Sequence, residues 1–459
     1  MIPVIAIYDI GKTNKKFFLL DESYKIVLER SASFDEITDE DGDSCEDINL
    51  ISSWVTGTLT EILQIKKFDI RAINFSAYGA SLVYINENGE VIAPLYNYLK
   101  KYPGYLQDEL YNKYGGAAAF SCETASPLLG SLNSGLQLYR LMKEKPALYK
   151  KIKYALHLPQ YISYLVTRLA WSDITSIGCH THLWDFNKNE YHQWVKDSGM
   201  DKKLAPVSPS DKTNTIDIDD RNVVAGTGLH DSSAALIPYL AVFSEPFILL
   251  STGTWCISLN PFNDAPLTEE ELKKDCLSYI EYKGKPVKAS RLFAGYEHEQ
   301  QIKKLSAHFN KPLDFYKKVK YDASLVASLK KKYRPADDQG IQQNVFAGTK
   351  LSEFKNYNSA YHCLMLDIIR QQYQSTQLII QDSGVKRIFV DGGFSNNSVY
   401  MHMLAQVFPQ LEVYAASVAQ ATAMGAALAI HKHWNSLPIP ADMVKLEYYK
   451  VTGVSDVIV

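Results

Sequence analysis

Cysteine is scarce and unpatterned in this chain. Its 459 residues hold six cysteines, none in a Cys-x-x-Cys arrangement and none in a pairing rhythm. Such usage excludes a disulfide-stapled scaffold and reads as reduced thiols in a reducing compartment, so a cytoplasmic protein is expected. Charge of one sign is also missing. The net charge is −3 and no long basic run occurs, so nothing draws the chain globally to nucleic acid or to an anionic membrane. No apolar run reaches the length that spans a bilayer. A strand pattern begins within a few residues of Met1, which leaves no room for a signal peptide. What remains is ordinary globular composition, 46% hydrophobic and 22% charged, in a chain too long for one core.

The most informative feature is a device that occurs twice. An apolar strand, Val4-Ile5-Ala6-Ile7-Tyr8, runs into Asp9-Ile10-Gly11-Lys12-Thr13-Asn14 and then a second strand, Phe17-Phe18-Leu19-Leu20. Much later, Phe247-Ile248-Leu249-Leu250 runs into Ser251-Thr252-Gly253-Thr254 and then Cys256-Ile257-Ser258-Leu259. Turns of this composition present backbone N–H groups and hydroxyls at one point, which suits phosphate oxygens. Gly11, Lys12, Thr13, Asn14 and Lys15 in the first turn, and Thr252, Gly253 and Thr254 in the second, are the candidate phosphate contacts. Gly11-Lys12-Thr13 does not complete a P-loop. That pattern places its first glycine where Ala6 lies inside the strand, and a helix, not a strand, follows a P-loop. Asp9 is placed to face a Mg²⁺ ion through water, because Mg²⁺ keeps several waters and accepts one or two carboxylates.

Periodicity supplies the frame. Strands are expected at 4–8, 16–20 and 25–29, a helix at 49–65 and a buried strand at 70–76 ending at Ala77-Tyr78-Gly79. A hairpin joining 82–85 to 91–93 is expected across Asn86-Glu87-Asn88-Gly89. Residues 105–170 read as mostly helical, 208–221 as polar, and 232–241 as a short helix. In the second half a long helix at 358–381 feeds a strand at 387–390. A helix (399–407), a strand (411–414) and an apolar helix (421–431) follow. Meander plus alternating helix and strand, twice over, implies an α/β protein of two domains, with the boundary placed at 242/243.

Three further groups invite chemistry. Asp231 follows Gly226-Thr227-Gly228-Leu229-His230 and precedes small residues, so it is either a helix cap or a general base at a domain junction. Gly392-Gly393 after the strand Ile388-Phe389-Val390 is either a plain turn or a place where backbone approaches a flat ligand. His180 and His182 share one face if their segment is extended. With Cys179 and Asp185 they suggest zinc, although the spacing fits no standard site.

Taken together, these segments resemble the FGGY carbohydrate kinases, of the superfamily that includes sugar kinases, chaperone ATPases and actin. Asp9-Ile-Gly-Lys-Thr-Asn is similar to the family's first phosphate motif and Ser251-Thr-Gly-Thr to its second. Gly228-Leu-His-Asp231 resembles the segment with the catalytic aspartate, and Asp391-Gly-Gly-Phe-Ser-Asn396 the adenosine loop. Ala419–Ala427, with Gly425, resembles the last nucleotide-side helix, and Leu156-His-Leu-Pro-Gln-Tyr a stretch of the rhamnulose kinase branch. The resemblance implies two ribonuclease-H-like domains closing on ATP and Mg²⁺. It implies Asp231 as catalytic base and second metal-side carboxylate, and Gly392, Gly393, Asn396 and Gly425 on the nucleotide. It places Tyr78, Gly79, Tyr98 and His230 on the sugar. The acceptor implied is a deoxyketohexose such as rhamnulose or fuculose, with xylulose, ribulose or another polyol as alternatives. A non-catalytic sugar sensor and an actin-like ATPase stay open as other classes, as does a homodimer. The chain departs from the family mainly around Tyr96-Asn97-Tyr98-Leu99-Lys100-Lys101 and at Ser134-Gly135, on the acceptor side.

Overall fold

In the computed structural model, residues 1–332, 344–381 and 383–450 are described. They build two seven-stranded mixed sheets. The N-terminal sheet contains β1 (Ile2–Ile10), β2 (Lys15–Asp21), β3 (Ile26–Ala32), β4 (Phe68–Ala77), β5 (Thr213–Ile218), β6 (Arg221–Gly226) and the short β7 (Leu229–His230). Its order is β5-β6-β4-β1-β2-β3, with β7 also beside β4. The C-terminal sheet contains β8 (Phe247–Thr252), β9 (Cys256–Asn260), β10 (Cys276–Ile280), β11 (Pro286–Leu292), β12 (Arg387–Gly392), β13 (Glu412–Ser417) and β14 (Lys445–Tyr449), in the order β10-β11-β9-β8-β12-β13-β14.

The two sheets share one wiring. β1 is antiparallel to β2 and parallel to β4, and β4 is parallel to β6. Likewise β8 is antiparallel to β9 and parallel to β12, and β12 is parallel to β13. Each first strand is therefore central and ends in a tight turn at the same edge of its sheet. This is a duplicated α/β fold, as the repeated device implies.

Alternation along β1 explains why its stretch Val4–Tyr8 is apolar throughout. Val4, Ala6, Tyr8 and Ile10 pack with α1 (Ile48–Leu63) in the N-terminal core. Ile5 and Ile7 point the other way, into a cluster with α3 (Asp231–Val242), α7 (Ala421–Ala429) and residues of the C-terminal sheet. A strand covered on both faces has no polar positions to spare. α1 starts where the Asp47 side chain accepts from the N–H groups of Asn49 and Leu50, and Ile48, Ile51, Val55 and Ile62 form its buried stripe. The second helix that matters here, α2 (Leu158–Thr167), packs against β4 in the same core. In the C-terminal half, α4 (Ala294–Phe309), α5 (Tyr357–Ile380) and α6 (Ser398–Val407) cover one face of the sheet.

The cluster around α3 and α7 joins the halves. Ala234, Leu236, Ile237, Ala423, Ala426 and Ala427 are all buried there. The helices approach so closely that a Cβ on Gly425 would lie 1.8 Å from the Ala234 carbonyl oxygen. Gly425 is thus a packing glycine at a helix crossing. Its expected place on the nucleotide is corrected, because the contact it serves is with the opposite helix. Asn74 fixes the same crossing from β4, donating to the Ala426 carbonyl at 2.8 Å and accepting from Phe75 and Gly228 N–H.

Other elements depart from expectation for identifiable reasons. Leu82–Ile85 pairs with Tyr154–His157, not with 91–93; the Asn86–Gly89 turn forms, but its return arm makes one bridge, Ile85 to Val91. The polar stretch 208–221 contains β5, the edge strand that pairs antiparallel with β6 and whose solvated side hides the alternation. His180 and His182 sit at φ 40° and 61°, in a turn and not on a strand. None of the six cysteines is in a disulfide, and among the described residues no helix is long and apolar enough to cross a membrane.

Candidate active site

The first turn, residues 11–14, closes with Gly11 N–H donating to the Asn14 carbonyl at 2.9 Å. Thr13 and Asn14 lie exposed at its tip, and Asp9 sits at the end of β1 opposite Lys16. The two lysines expected on phosphate are engaged elsewhere. Lys15 is 1% exposed, and its ammonium donates to the Lys12 carbonyl and pairs with Glu46. Lys12 pairs with Glu36 at 2.7 Å and Glu46 at 3.4 Å, and its ammonium lies 5.9 Å and 6.0 Å from the ring centres of Tyr78 and Tyr98. Lys15 is therefore corrected to a buried structural cation. Lys12 moves from the phosphate side to the aromatic residues expected on the acceptor. Glu46, also hydrogen-bonded by the Tyr78 hydroxyl, is the hub that holds this wall together.

The second turn, residues 253–255, closes with Gly253 N–H donating to the Trp255 carbonyl at 2.9 Å, leaving Gly253 and Thr254 exposed. Thr252 is buried, and its hydroxyl donates to the Asp391 carbonyl at 2.6 Å while accepting from Phe394 N–H at 3.0 Å. That hydroxyl is consumed in tying the turn to the glycine loop, so Thr254 is the side chain left for a ligand. Gly392 has φ 89° and lies so close to β8 that a Cβ would meet the Thr252 carbonyl at 2.0 Å; only glycine fits. Between turn and loop opens a cleft of about 520 Å³, lined by Thr252, Gly253, Thr254, Gly295, Gly393 and Asn397 among others. It has the size and the glycine backbone to admit a nucleotide. Asn397 lines it where Asn396 was expected, and Asn396 is exposed outside that lining.

Asp231 opens α3 at the first helical position, with His230 before it. Its Oδ1 accepts from Ser232, and lies 3.1 Å from His230 Nε2. Oδ2 has no hydrogen bond among the described residues, and the side chain is 32% exposed. A carboxylate only accepts, so the shared hydrogen belongs to His230 Nε2, which also lies 3.2 Å from Cys179 Sγ. Burial holds the imidazole below its ordinary pKa against the pull of Asp231, keeping it neutral. The ring is clamped in place. It stacks on Tyr279 of the C-terminal sheet at 5.9 Å and 14°, and a Cβ on Gly79 would meet it at 2.9 Å. Gly79 is thus explained by the histidine it faces.

Asp9 and Asp231 come from different segments yet feel each other. Burial, then the Asp231 charge, raises the Asp9 pKa to about 7, with Lys16 opposing. Two hard carboxylate oxygens that destabilise one another suit a divalent cation such as Mg²⁺. The far end of α3 reaches the glycine loop, where the Tyr239 hydroxyl donates to Asp391 Oδ2 at 2.8 Å. One helix therefore carries the candidate base at one end and braces the glycine loop at the other.

No zinc site forms from the histidines of 179–182. His180 Nδ1 lies 3.1 Å from the Leu132 carbonyl and His182 Nε2 3.4 Å from that of Ser126. Asp185 instead joins Glu123 and His192. There His192 Nδ1 accepts from Trp194 N–H, which leaves the ring hydrogen on Nε2 to donate to Glu123, while Asp185 is held by Lys188. Sequence reasoning missed Glu46, Gly295 and Asn397. Glu46 lies in an acidic stretch that reads as loop. Gly295 had no pattern around it, and a Cβ there would strike the Gly253 carbonyl at 1.8 Å.

Comparisons with known proteins bear on the family and the fold. The family model described as "FGGY family of carbohydrate kinases, N-terminal domain" matches residues 4–229, and "Carbohydrate kinase FGGY, C-terminal domain" matches 244–437. A curated rhamnulokinase of Mannheimia succiniciproducens is 22% identical over 277 residues, 58% of this chain and 55% of that protein. The aligned part thus spans about half of that relative. Among solved structures, a carbohydrate kinase from Novosphingobium aromaticivorans superposes with a TM-score of 0.76 at 23% identity, covering 97% of this chain and 96% of that one. Plasmodium falciparum glycerol kinase with ADP gives 0.75 at 16% identity, covering 98% and 95%. The chain belongs to the FGGY family of carbohydrate kinases.

Proposed function

We propose that this chain is an ATP-dependent kinase that phosphorylates a hydroxyl of a ketose, a deoxyketohexose such as L-rhamnulose or L-fuculose. The observation that carries the reading is Asp231, a carboxylate with one oxygen fixed and one open, within electrostatic reach of Asp9 at the mouth of the first phosphate-type turn. The half comprising residues 1–242 holds the acceptor, with Tyr78, Tyr98 and Lys12 forming one wall and His230 orienting the base. The half comprising 243–459 holds ATP in the cleft between Gly253-Thr254 and Gly393-Asn397. A rhamnulokinase among the curated relatives supports the deoxyketohexose. The structural neighbours support the fold, and xylulose, ribulose or another polyol is the alternative acceptor.

Asp231 Oδ2 takes the proton of the acceptor hydroxyl as its oxygen bonds to the γ-phosphorus. The bond to the β,γ-bridging oxygen breaks, and ADP departs with that electron pair. Neutral His230 holds the carboxylate in register without cancelling its charge. N–H groups of the two turns, with the Thr13 and Thr254 hydroxyls, stabilise the transferred oxygens. Asp9 and Asp231 would hold Mg²⁺, which would supply positive charge against the phosphates.

General-base assistance contributes roughly 10²–10⁴ in rate, so Asp231→Asn lowers kcat by about that factor while ATP affinity stays near wild type. ADP release screened across L-rhamnulose, L-fuculose, xylulose, ribulose and glycerol names the acceptor. Wild-type kcat in the variant would sink the assignment of the base.

A further inference from the structure

An aromatic row stands beside the second phosphate turn and has no part in the fold's core. Trp255 follows Thr254 directly and keeps 39% of its surface exposed. Its ring centre is 4.4 Å from Phe293, which stacks on Tyr296 at 4.5 Å and 14°, and Tyr296 is 42% exposed. The Arg291 guanidinium lies 5.1 Å from the Trp255 ring. The β9–β11 register pairs Cys256 with Leu292, so Trp255 falls opposite Phe293, one step beyond the pair. Arg291 and Phe293 are two residues apart and both reach the indole, Phe293 with its ring tilted at 40° and Arg291 while paired with Asp275 at 2.6 Å, and over a third of the Trp255 surface stays open to solvent.

The row's position relates it to the acceptor. Arg291 lies within electrostatic reach of Cys179, His180 and Tyr279, and Cys179 and Tyr279 are the groups that clamp His230. Tyr296 N–H donates to the Thr254 carbonyl, so the outer end of the row is anchored on the phosphate turn. Trp255 therefore belongs to the second phosphate turn itself and packs on the strand whose Arg291 reaches the groups that clamp His230. An exposed indole in such a place is costly to leave in water and well suited to the C–H face of a sugar, since aromatic faces carry partial negative charge.

We infer that Trp255 is an acceptor-binding residue supplied by the C-terminal half, stacking on the ketose while its hydroxyls are read from the N-terminal wall. This rests on the kinase reading and adds a specificity-determining residue to it. The indole rewards an acceptor with a continuous apolar face, as a deoxysugar carrying a methyl group presents, over a fully hydroxylated one.

The test uses the full chain with L-rhamnulose and xylulose as probes, measuring ADP release and acceptor-induced quenching of tryptophan fluorescence. Trp255→Ala is expected to raise KM for L-rhamnulose about tenfold or more, with KM for ATP unchanged. Trp255→Phe is expected to restore most of it, and both variants to lose part of the quenching. Unchanged unfolding temperatures establish that each variant is folded. Turnover by wild type with an unaltered acceptor KM in Trp255→Ala overturns the inference alone. A rise in KM for ATP instead overturns it in favour of base stacking. Wild type that neither releases ADP nor quenches with either ketose overturns both readings.

Discussion

Gly425→Ala tests whether the crossing of α3 and α7 is the mechanical joint of the molecule. The added Cβ would sit 1.8 Å from the Ala234 carbonyl oxygen, whereas ordinary contact begins at 3.4 Å. The helices must separate by about 1.5 Å, and the atom in the way is backbone, which cannot rotate aside. Around it Ala234, Ala423, Ala426, Ala427 and Ile237 are all buried. A gap of 0.5–1 Å already forfeits about a quarter to a half of a dispersion well, and here several residues lose contact together. The expected loss is about 3 kcal/mol, or a fall of roughly 6–12 °C in unfolding temperature. Because α3 starts at Asp231, kcat falls as well. Gly57→Ala is the control: it lies exposed within α1 with nothing within 4 Å of its Cβ, and it is expected to stabilise by about 0.5–1 kcal/mol. Thermal unfolding followed by circular dichroism compares the two. A Gly425→Ala protein within about 0.5 kcal/mol of wild type would refute the close-crossing argument.

Glu46→Gln leaves the buried Lys15 ammonium without its carboxylate and is expected to cost about 3–5 kcal/mol, read by urea titration. The same variant frees Lys12 and Tyr78 and raises the acceptor KM; an unchanged midpoint would show the pair to be dispensable. For Asp9, the folded pKa is raised to about 7, so its contribution favours the native state at low pH and is lost as pH climbs from about 4 through 7. Asp9→Asn removes that loss, so in metal-free protein its stability gain over wild type widens between pH 5 and pH 8. Added Mg²⁺ narrows the gap for wild type above pH 7; a pH-independent gap would contradict the raised pKa that burial, and then Asp231, give Asp9.

The sequence-level reading succeeded where a signal is local. Strand–turn–strand at residues 4–20 and 247–259 combines an apolar run covered on both faces with Gly and Thr at the turn, and both forms appear as expected. The long helix at 357–380 opens on a capping box at Asn356 and Ser359 and buries a full stripe. What could not be read was long-range pairing. Nothing in Leu82–Ile85 announces Tyr154–His157 as its partner, because the intervening helices set the register. Side-chain direction was equally hidden. Lys12 and Lys15 are adjacent to a phosphate-type turn, but Glu46, thirty-odd residues on, turns both of them away from it.

The corrections follow one rule. Gly425, Thr252 and Lys15 each belong to a motif, and each proves to hold the motif's parts together instead of facing the cleft. Gly425 lets α7 touch α3, Thr252 joins the second turn to the glycine loop, and Lys15 pins the acidic segment to β2. Tyr239 then links that glycine loop back to the helix that begins at Asp231. A rotation of one half against the other must move Asp231 and the Asp391 loop together, since they are the two ends of one helix and its hydrogen bond. For the proposed kinase, closure of the halves over ATP would carry the Asp231 carboxylate with it, and a motif that looks like a list of contacts is largely the linkage that would make the two coincide.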